Sequence, residues 1–209
     1  MNEEELLKAG FLELGLEANS ETIEKLLQWL DLLNKWNEVH NLTAIRDKSE
    51  QIKLHIFDCA SCIKCLENAQ TIADIGTGAG LPALIWAIFL PERKIYAVES
   101  NKKKVAFLRE VKRRLNLVNV ELLGLRLEEI KPIANLDLIV SRAVASSKDF
   151  LKMVDFLVIP QKTRVALMKA KQEENFDFKN YSQSAIYQLN VPFLEAQRFW
   201  IEFEKGNLC

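Results

Sequence analysis

Apolar and polar positions alternate along residues 1–70 with the period of an α-helix. The period predicts three helices, over Glu3–Leu14, Ser20 to about His40, and residue 48 to about residue 68. The second is the clearest, because its apolar residues recur three and four positions apart and Ser20 is a suitable N-cap. We therefore expect an N-terminal helical subdomain over residues 1–70.

From Thr71 onwards, short apolar runs alternate with amphipathic helical stretches. Strands are predicted over residues 71–75, 94–99, 118–123, 136–141 and 163–168, and helices over residues 81–90 and 102–115. This alternation is typical of a parallel, doubly wound α/β sheet. Two further runs, residues 184–189 and 198–203, lie too close together for a crossover helix and predict a closing antiparallel hairpin. Residues 71–209 are thus expected to form a Rossmann-like domain.

Length and charge narrow the possible functions. The chain of 209 residues suits one domain, and its 28 Lys and Arg against 29 Asp and Glu give a net charge of −1. Any affinity for nucleic acid must therefore come from a local basic patch. The N-terminus is acidic, and the longest apolar stretch, residues 81–90, is too short to cross a bilayer. We expect a cytoplasmic protein without membrane contact.

Three of the four cysteines, Cys59, Cys62 and Cys65, have the spacing of some iron–sulfur and zinc sites. The surrounding stretch lacks Gly and Pro and is predicted helical, and residues three apart on a helix do not converge on one point. Reduced, partly buried thiols are the interpretation we prefer, so no metal is expected.

The most informative motif follows the first predicted strand, where an open parallel sheet binds its ligands. Asp74 ends that strand, and Gly76, Gly78 and Gly80 form a turn in which the backbone can approach a ligand closely. A dinucleotide fold would need glycine where Leu81 stands, and the Gly-Lys-Ser/Thr of a phosphate loop is absent.

S-adenosylmethionine (AdoMet) fits this turn better than a phosphorylated nucleotide does. It carries a sulfonium and an ammonium against one carboxylate, so an acidic residue at the strand end, here Asp74, favours it. Glu99 ends the next predicted strand, where this class of fold places a carboxylate that binds ribose hydroxyls. The alternative for Glu99 is an exposed carboxylate before a helix.

Several segments together give a specific resemblance. They are Trp36-Asn37, Asn41-Leu42-Thr43-Ala44-Ile45-Arg46-Asp47, His55 with Asp58, residues 74–82, Arg126 with Glu128-Glu129, and Ser141-Arg142-Ala143. Over roughly residues 26–169, the sequence resembles the RsmG family, also called GidB, of bacterial small-subunit ribosomal RNA 7-methylguanosine methyltransferases. It departs from the family at Ala83-Leu84-Ile85 and at Ala170, so the helix after the glycine turn and the last loop are less certain than the cofactor site.

The resemblance implies a class I AdoMet-dependent methyltransferase that modifies N7 of a guanine. It further implies that Gly76, Leu81, Leu127, Glu128 and Arg142 line the AdoMet pocket, with Glu99 near the ribose. Leu127 and Glu128 would read the adenine amino group, and Arg142 would pair with the methionine carboxylate or steer RNA. The partner is then ribosomal RNA within the small subunit, and we expect a monomer.

A basic helix gives a second, independent clue to RNA. Residues 102–115 carry seven Lys and Arg around an apolar stripe, and Lys103, Arg109 and Arg113 are candidate phosphate contacts. Arg46 is a further candidate. A solvated face is the default alternative for the helix, and a capped inter-helix turn is the alternative for residues 41–47.

No catalytic residue is predicted, because guanine N7 needs no deprotonation before attack. His55 and Asp58 are functional or structural, and the sequence leaves both possibilities open. The sequence also leaves three other functions open. These are methylation of another RNA or a protein, a nucleotide-binding oxidoreductase, and a non-catalytic AdoMet-binding ribosome-assembly factor.

Overall fold

A computed structural model describes residues 1–142, 146–172, 176 and 178–206. Its α-helices are α1 (Glu3–Leu14), α2 (Ser20–His40), α3 (Lys48–Gln51), α4 (Asp58–Ala60), α5 (Ala83–Phe89), α6 (Lys102–Arg114) and α7 (Ser147–Val154). A π-helix spans Ile52–Phe57, and 3-10 turns span Ile63–Leu66, Leu127–Glu129 and Asp155–Leu157. The strands are β1 (Thr71–Ile75), β2 (Lys94–Val98), β3 (Val120–Leu123), β4 (Leu138–Arg142), β5 (Arg164–Lys169), β6 (Tyr181–Leu189) and β7 (Arg198–Lys205).

The strands form one seven-stranded sheet in the order β3-β2-β1-β4-β5-β7-β6. The first five are parallel, and β7 runs antiparallel to both β5 and β6. This confirms the predicted doubly wound sheet with a C-terminal antiparallel hairpin. Strand order reverses between β1 and β4, so ligands are expected beyond the carboxyl ends of these strands.

Alternate residues of each strand face opposite layers of helices. Ile72, Leu138 and Trp200 pack with the apolar faces of α1, α2, α5 and α6, whereas Ala73, Ile139 and Ile201 pack with α7. The N-terminal helices therefore share one apolar core with the sheet, in which Trp29 and Trp86 are fully buried. The division at residue 70 stays a proposal, and the shared core couples its two parts.

The prediction for residues 48–68 as one regular helix is wrong. The segment is α3, the π-helix, α4 and a 3-10 turn in succession. The Asp58 amide that follows the π-helix donates to the carbonyls of Lys53 and His55. The Leu54 carbonyl lies 3.2 Å from Arg142 Nη1 and 3.1 Å from His55 Nδ1, so the segment contacts a strand 88 residues away.

Smaller differences concern element ends. Asn19, rather than Ser20, is the N-cap of α2, because its side chain accepts from the Thr22 amide at 2.8 Å. The first hairpin strand begins at Tyr181 instead of residue 184. The short helix α7 was not predicted at all, although Ser146 caps it and Phe150, Leu151 and Val154 are buried on one face.

Within the described residues, no helix combines the length and the apolar character that a membrane crossing requires. Cys59 and Cys62 are buried and Cys65 is partly buried, all as free thiols. Burial raises the pKa of each of the three thiols above its ordinary value. Among the described His, Cys, Asp and Glu side chains, no group of three is placed to hold a metal ion.

Candidate active site

The three glycines of the turn after β1 are required for two different physical reasons. Gly76, Gly78 and Gly80 all have positive φ, of 73°, 63° and 87°. A Cβ at Gly80 would lie 2.3 Å from the Leu84 side chain, so this glycine lets α5 pack against the turn. A Cβ at Gly78 would meet nothing closer than 3.9 Å, and one at Gly76 nothing within 4 Å. These two glycines border open space.

Gly76 lines a cavity of about 380 Å³ at the carboxyl ends of β1 and β2, which we call the cofactor cavity. Gly78 is not among its lining residues but donates its amide to Glu99, which is. Four predicted cofactor residues line the cofactor cavity, namely Gly76, Glu99, Leu127 and Glu128. Its volume is within the range of small-molecule sites. The structure therefore brings together residues from three separate segments that the sequence assigned to one pocket.

The walls of the cofactor cavity combine polar residues, among them Ser100 and Arg126, with apolar ones. Ile75 and Val98 contribute strand ends, Leu125 belongs to the loop after β3, and Met153 belongs to α7. Leu125 and Met153 are 44% and 42% exposed, which is high for apolar side chains of this size. An aromatic base between them would cover both. Sequence reasoning missed these two residues, and only the spacing of α7 could have indicated Met153.

Glu99 fixes the glycine turn to the next strand. Its carboxylate accepts from the Gly78 amide at 3.0 Å and from the Asn101 amide at 2.8 Å, one bond to each oxygen. Lys104 approaches the same carboxylate at 4.0 Å. Each carboxylate oxygen can accept further hydrogen bonds, so Glu99 can hold the turn and bind a hydroxyl pair at the same time.

Asp74 lies beneath the turn rather than on the cavity surface. It is fully buried, and its Oδ2 accepts from the Ala83 amide at 3.1 Å. Burial raises the pKa of Asp74 to about 7, although the neighbouring Thr77 hydroxyl and the Ala83 amide act in the opposite direction. Neither Asp74 nor Thr77 lines the cofactor cavity. The position of Asp74 therefore suits a role in fixing the glycine turn rather than a direct contact with a ligand.

The remaining predicted cofactor residues are placed differently. Gly80 and Leu81 belong to the packed base of the turn, where the Leu81 amide donates to the Thr77 carbonyl. Arg142 ends β4 and lines a second cavity, also about 380 Å³, at the carboxyl ends of β4 and β5. We call this the Asp58 cavity. Ala143, the last residue of the Ser-Arg-Ala motif, lies outside the described residues.

His55 and Asp58 both line the Asp58 cavity. The His55 Nε2 lies 3.0 Å from the Thr43 hydroxyl, and burial together with the Arg142 charge lowers the pKa of His55 to about 4. The imidazole is consequently neutral at physiological pH. Asp58 lies 3.4 Å from Arg142 Nη1 and 3.0 Å from Arg198 Nε, so its carboxylate is paired with two cations.

Residues 41–47 form the capped turn that was one of the two interpretations of this segment. The Asn37 side chain accepts from the Thr43 amide, and Asp47 caps α3 by accepting from Glu50. Arg46 donates to the Asn37 carbonyl at 2.9 Å and to the Asn41 side chain at 3.0 Å. The Arg46 side chain is exposed, so these bonds do not exclude a contact with RNA.

The basic helix α6 does not lie wholly beside the site. It begins at the cofactor cavity and runs towards the opposite edge of the sheet, because β3 starts after it. Lys103 and Arg113 are ten residues apart, which is about 15 Å along an α-helix. Arg113 also pairs with Glu110 at 3.1 Å. Lys103 is therefore close to the cofactor cavity, whereas Arg109 and Arg113 would contact RNA further away.

Comparisons with known proteins agree with this geometry. The family model described as "GidB: rRNA small subunit methyltransferase G" matches residues 22–200. The ribosomal RNA small subunit methyltransferase G of Dichelobacter nodosus is 44% identical, over 93% of this chain and 92% of its own length. The protein of the same name from Hydrogenovibrio crunogenus is 41% identical, over 91% and 89%.

Among solved structures, an AdoMet-dependent methyltransferase from Aquifex aeolicus superposes with a TM-score of 0.55. The superposition covers 74% of this chain and 93% of the Aquifex aeolicus chain, at 17% sequence identity. It supports the class I methyltransferase fold. The family model spans most of the chain, and both relatives exceed 40% identity. The chain therefore belongs to the GidB family, the family of rRNA small subunit methyltransferase G.

Proposed function

We propose that this protein transfers the methyl group of AdoMet to N7 of a guanine in small-subunit ribosomal RNA. Membership of the family makes it an AdoMet-dependent rRNA methyltransferase. The observation that carries the finer assignment is the state of the titratable groups beside the expected methyl acceptor. In the Asp58 cavity, at the carboxyl ends of β4 and β5, His55 is neutral and Asp58 is paired with two arginines.

These groups suit a nucleophile that needs no base. Guanine N7 carries an in-plane lone pair, whereas an exocyclic amine or a ribose hydroxyl must lose a proton. His55, with a pKa of about 4, has little tendency to accept one at neutral pH, and Asp58 already accepts from Arg142 and Arg198. The protein's task is then alignment and exclusion of water.

In this proposal each part of the site has a defined task. Bound AdoMet supplies an electrophilic methyl group. Glu99 holds the ribose, and Leu125, Leu127 and Met153 enclose the adenine. Asp74, buried beneath the glycine turn, fixes the shape of that turn through the Ala83 amide. The basic residues Lys103, Arg109, Arg113 and Arg46 bind RNA phosphates. Arg142 lies on the side where the base would enter.

We also propose that the enzyme acts as a monomer on the small ribosomal subunit, in the cytoplasm. The ribosomal substrate places the reaction where ribosomes are assembled. Light scattering of the purified protein tests the monomer, and equal rates on naked rRNA and assembled subunits would contradict the subunit as preferred substrate.

The main test is transfer of labelled methyl from AdoMet to small subunits from a strain that lacks the enzyme. Nuclease digestion and mass spectrometry then locate the label. We expect one 7-methylguanosine per subunit. Label on an exocyclic amine or a ribose would disprove N7 specificity. Binding of AdoMet without transfer to any ribosomal substrate would favour the alternative of a non-catalytic assembly factor.

A further inference from the structure

Three distant segments meet in the Asp58 cavity. Asp58 follows the π-helix, Arg142 ends β4, and Arg198 begins β7. Asp58 is 84 residues from Arg142 and 140 residues from Arg198 in the sequence. The cavity is distinct from the cofactor cavity, because the two share no lining residue among those described. Contacts between side chains, rather than between backbone groups, join the three segments at this cavity.

One carboxylate divides its two oxygens between two guanidinium groups. Asp58 Oδ2 accepts from Arg142 Nη1 at 3.4 Å, and Asp58 Oδ1 accepts from Arg198 Nε at 3.0 Å. The Asp58 side chain is 7% exposed, while those of Arg142 and Arg198 are 24% and 22% exposed. The Asp58 carboxylate is thus buried behind the two guanidinium groups, and the two arginine side chains reach the cavity surface.

Backbone carbonyls fix the same two guanidinium groups. Arg142 Nη1 also donates to the Leu54 carbonyl at 3.2 Å, which His55 Nδ1 approaches at 3.1 Å. Arg198 Nη1 donates to the Gln197 carbonyl at 2.8 Å. The Nη2 groups of both arginines make no hydrogen bond to the described residues, and both side chains line the cavity. Two such forks at fixed positions match the oxygens of a phosphate.

The charge of the trio favours an anion. Two cations face one carboxylate, so one positive charge is uncompensated within the trio, and the neutral His55 adds none. Burying a lone guanidinium is costly, and Asp58 offsets part of this cost without cancelling the positive charge. An anion from solution would compensate the remainder.

We propose that Asp58 is a positioning residue, which holds Arg142 and Arg198 so that together they bind a backbone phosphate of the RNA next to the target base. This inference rests on the proposed rRNA substrate. It assigns Arg198 and Asp58 to substrate binding and leaves both outside the cofactor site. The chemistry recognised is a phosphate diester; free inorganic phosphate shares that chemistry and serves as a competitor.

The sign of one substitution separates this role from simple electrostatics. Removing the Asp58 charge makes the cavity more positive, so a diffuse electrostatic field alone predicts tighter RNA binding after Asp58→Asn. A positioning role predicts weaker binding, because the arginines lose their shared acceptor and their fixed directions. A merely structural ion pair predicts lower thermal stability without a specific change in RNA affinity.

The experiment measures binding of small-subunit rRNA to the full-length protein at several salt concentrations. For Asp58→Asn we expect the dissociation constant to rise about tenfold, equivalent to ~1.4 kcal/mol. AdoMet affinity and circular dichroism should stay as in the parent. Asp155→Asn is the matched control, because Asp155 also pairs with a cation, Lys205, but lines neither cavity.

Arg198 provides a second test if Asp58→Asn does not fold. Arg198→Lys keeps the charge and loses the fork, and Arg198→Gln loses both. We expect both variants to raise the KM for rRNA with little change in kcat, and Gln to lower the salt dependence by about one phosphate contact. Inorganic phosphate should compete with RNA less effectively in either variant than in the parent.

Two results would overturn the inference. The first is unchanged or tighter RNA binding by Asp58→Asn in a folded protein. The second is parent-like binding by Arg198→Lys together with weaker binding by Arg198→Gln, which would indicate charge without positioning. Failure of the proposed function is distinguishable, because the parent protein itself would then bind AdoMet and fail to methylate ribosomal RNA.

Discussion

The two cavities at the carboxyl edge of the sheet are built in different ways. The cofactor cavity depends on backbone shape at its base: a turn of glycines with positive φ, a 3-10 turn, and a carboxylate that accepts from two amides. The Asp58 cavity is formed by side chains that pair across 84 and 140 residues. The first should therefore be sensitive to steric change and the second to charge and direction. The predictions below test this contrast, starting with the largest effect.

Gly78→Val should abolish AdoMet binding, with a loss of at least about 100-fold, equivalent to ~2.7 kcal/mol. The side chain would occupy the open space at Gly78 and force a branched residue to φ 63°. Isothermal titration measures the loss. Gly15→Val is the control, because Gly15 has the same φ of 63° at the end of α1, far from the cavity. Equal losses in both variants would indicate strain alone.

Asp74→Asn should weaken AdoMet binding about tenfold at pH 7.5, because the buried carboxylate that accepts from the Ala83 amide fixes the glycine turn. In the parent, Asp74 has a pKa of about 7, so AdoMet affinity should rise between pH 6 and 7.5 as the carboxylate ionises. The variant should lack this rise. Titrations at four pH values measure it, and a parallel rise in both proteins would assign the effect to the ligand.

The same group makes a stability prediction with a definite sign. The folded pKa of Asp74 lies above its ordinary value of 3.8, so the native state binds a proton that the unfolded chain releases. The resulting contribution to the free energy of unfolding is complete below pH 3.8 and is lost as the pH rises towards 7. Without ligand, Asp74→Asn should therefore be less sensitive to pH over this range than the parent in thermal melts.

Substitutions in the basic helix α6 should have a smaller effect, on the salt dependence of RNA binding. The effect should differ between the two ends of the helix. Lys103→Gln, next to the cofactor cavity, should lower the salt dependence of RNA binding by about one contact, or ~0.7–0.9 in slope. Arg113→Gln should change it less, because Arg113 lies about 15 Å further along α6 and pairs with Glu110. Equal slopes in both variants would contradict this division, and unchanged slopes would favour a solvated face.

The smallest effect is expected for His55→Asn, less than about threefold in the single-turnover rate, the equivalent of under ~0.7 kcal/mol. His55 has a pKa of about 4 and contacts Thr43, so its loss removes packing rather than a base. The parent rate should be flat from about pH 6 to 8 at saturating substrates. A steep rise near pH 6.5 that the variant lacks would require a general base and reopen the question of the methylated atom.

The contrast also explains how much the sequence could predict. The glycine turn, the strand before it and Glu99 are local signals, and the structure places Glu99 against the Gly78 amide. The π-helix could not be predicted, because its sequence has the ordinary apolar period of a helix and its contact with Arg142 comes from 88 residues away. Arg198 begins the predicted strand 198–203, and nothing in the neighbouring sequence indicates that it pairs with Asp58. Helix α7 was predictable from Ser146 and its buried face but was overlooked, and Met153 was missed with it.

One feature of the topology has a consequence for how the protein is made. The last strand in the sequence, β7, lies between β5 and β6 inside the sheet. During synthesis β5 thus keeps an unpaired edge until residues 198–205 have left the ribosome, and Arg198 arrives with them. The nascent chain cannot complete the Asp58 trio before Arg198 has been synthesised. If this trio binds RNA as proposed, that contact becomes available only after both the cofactor turn and the parallel strands have been made.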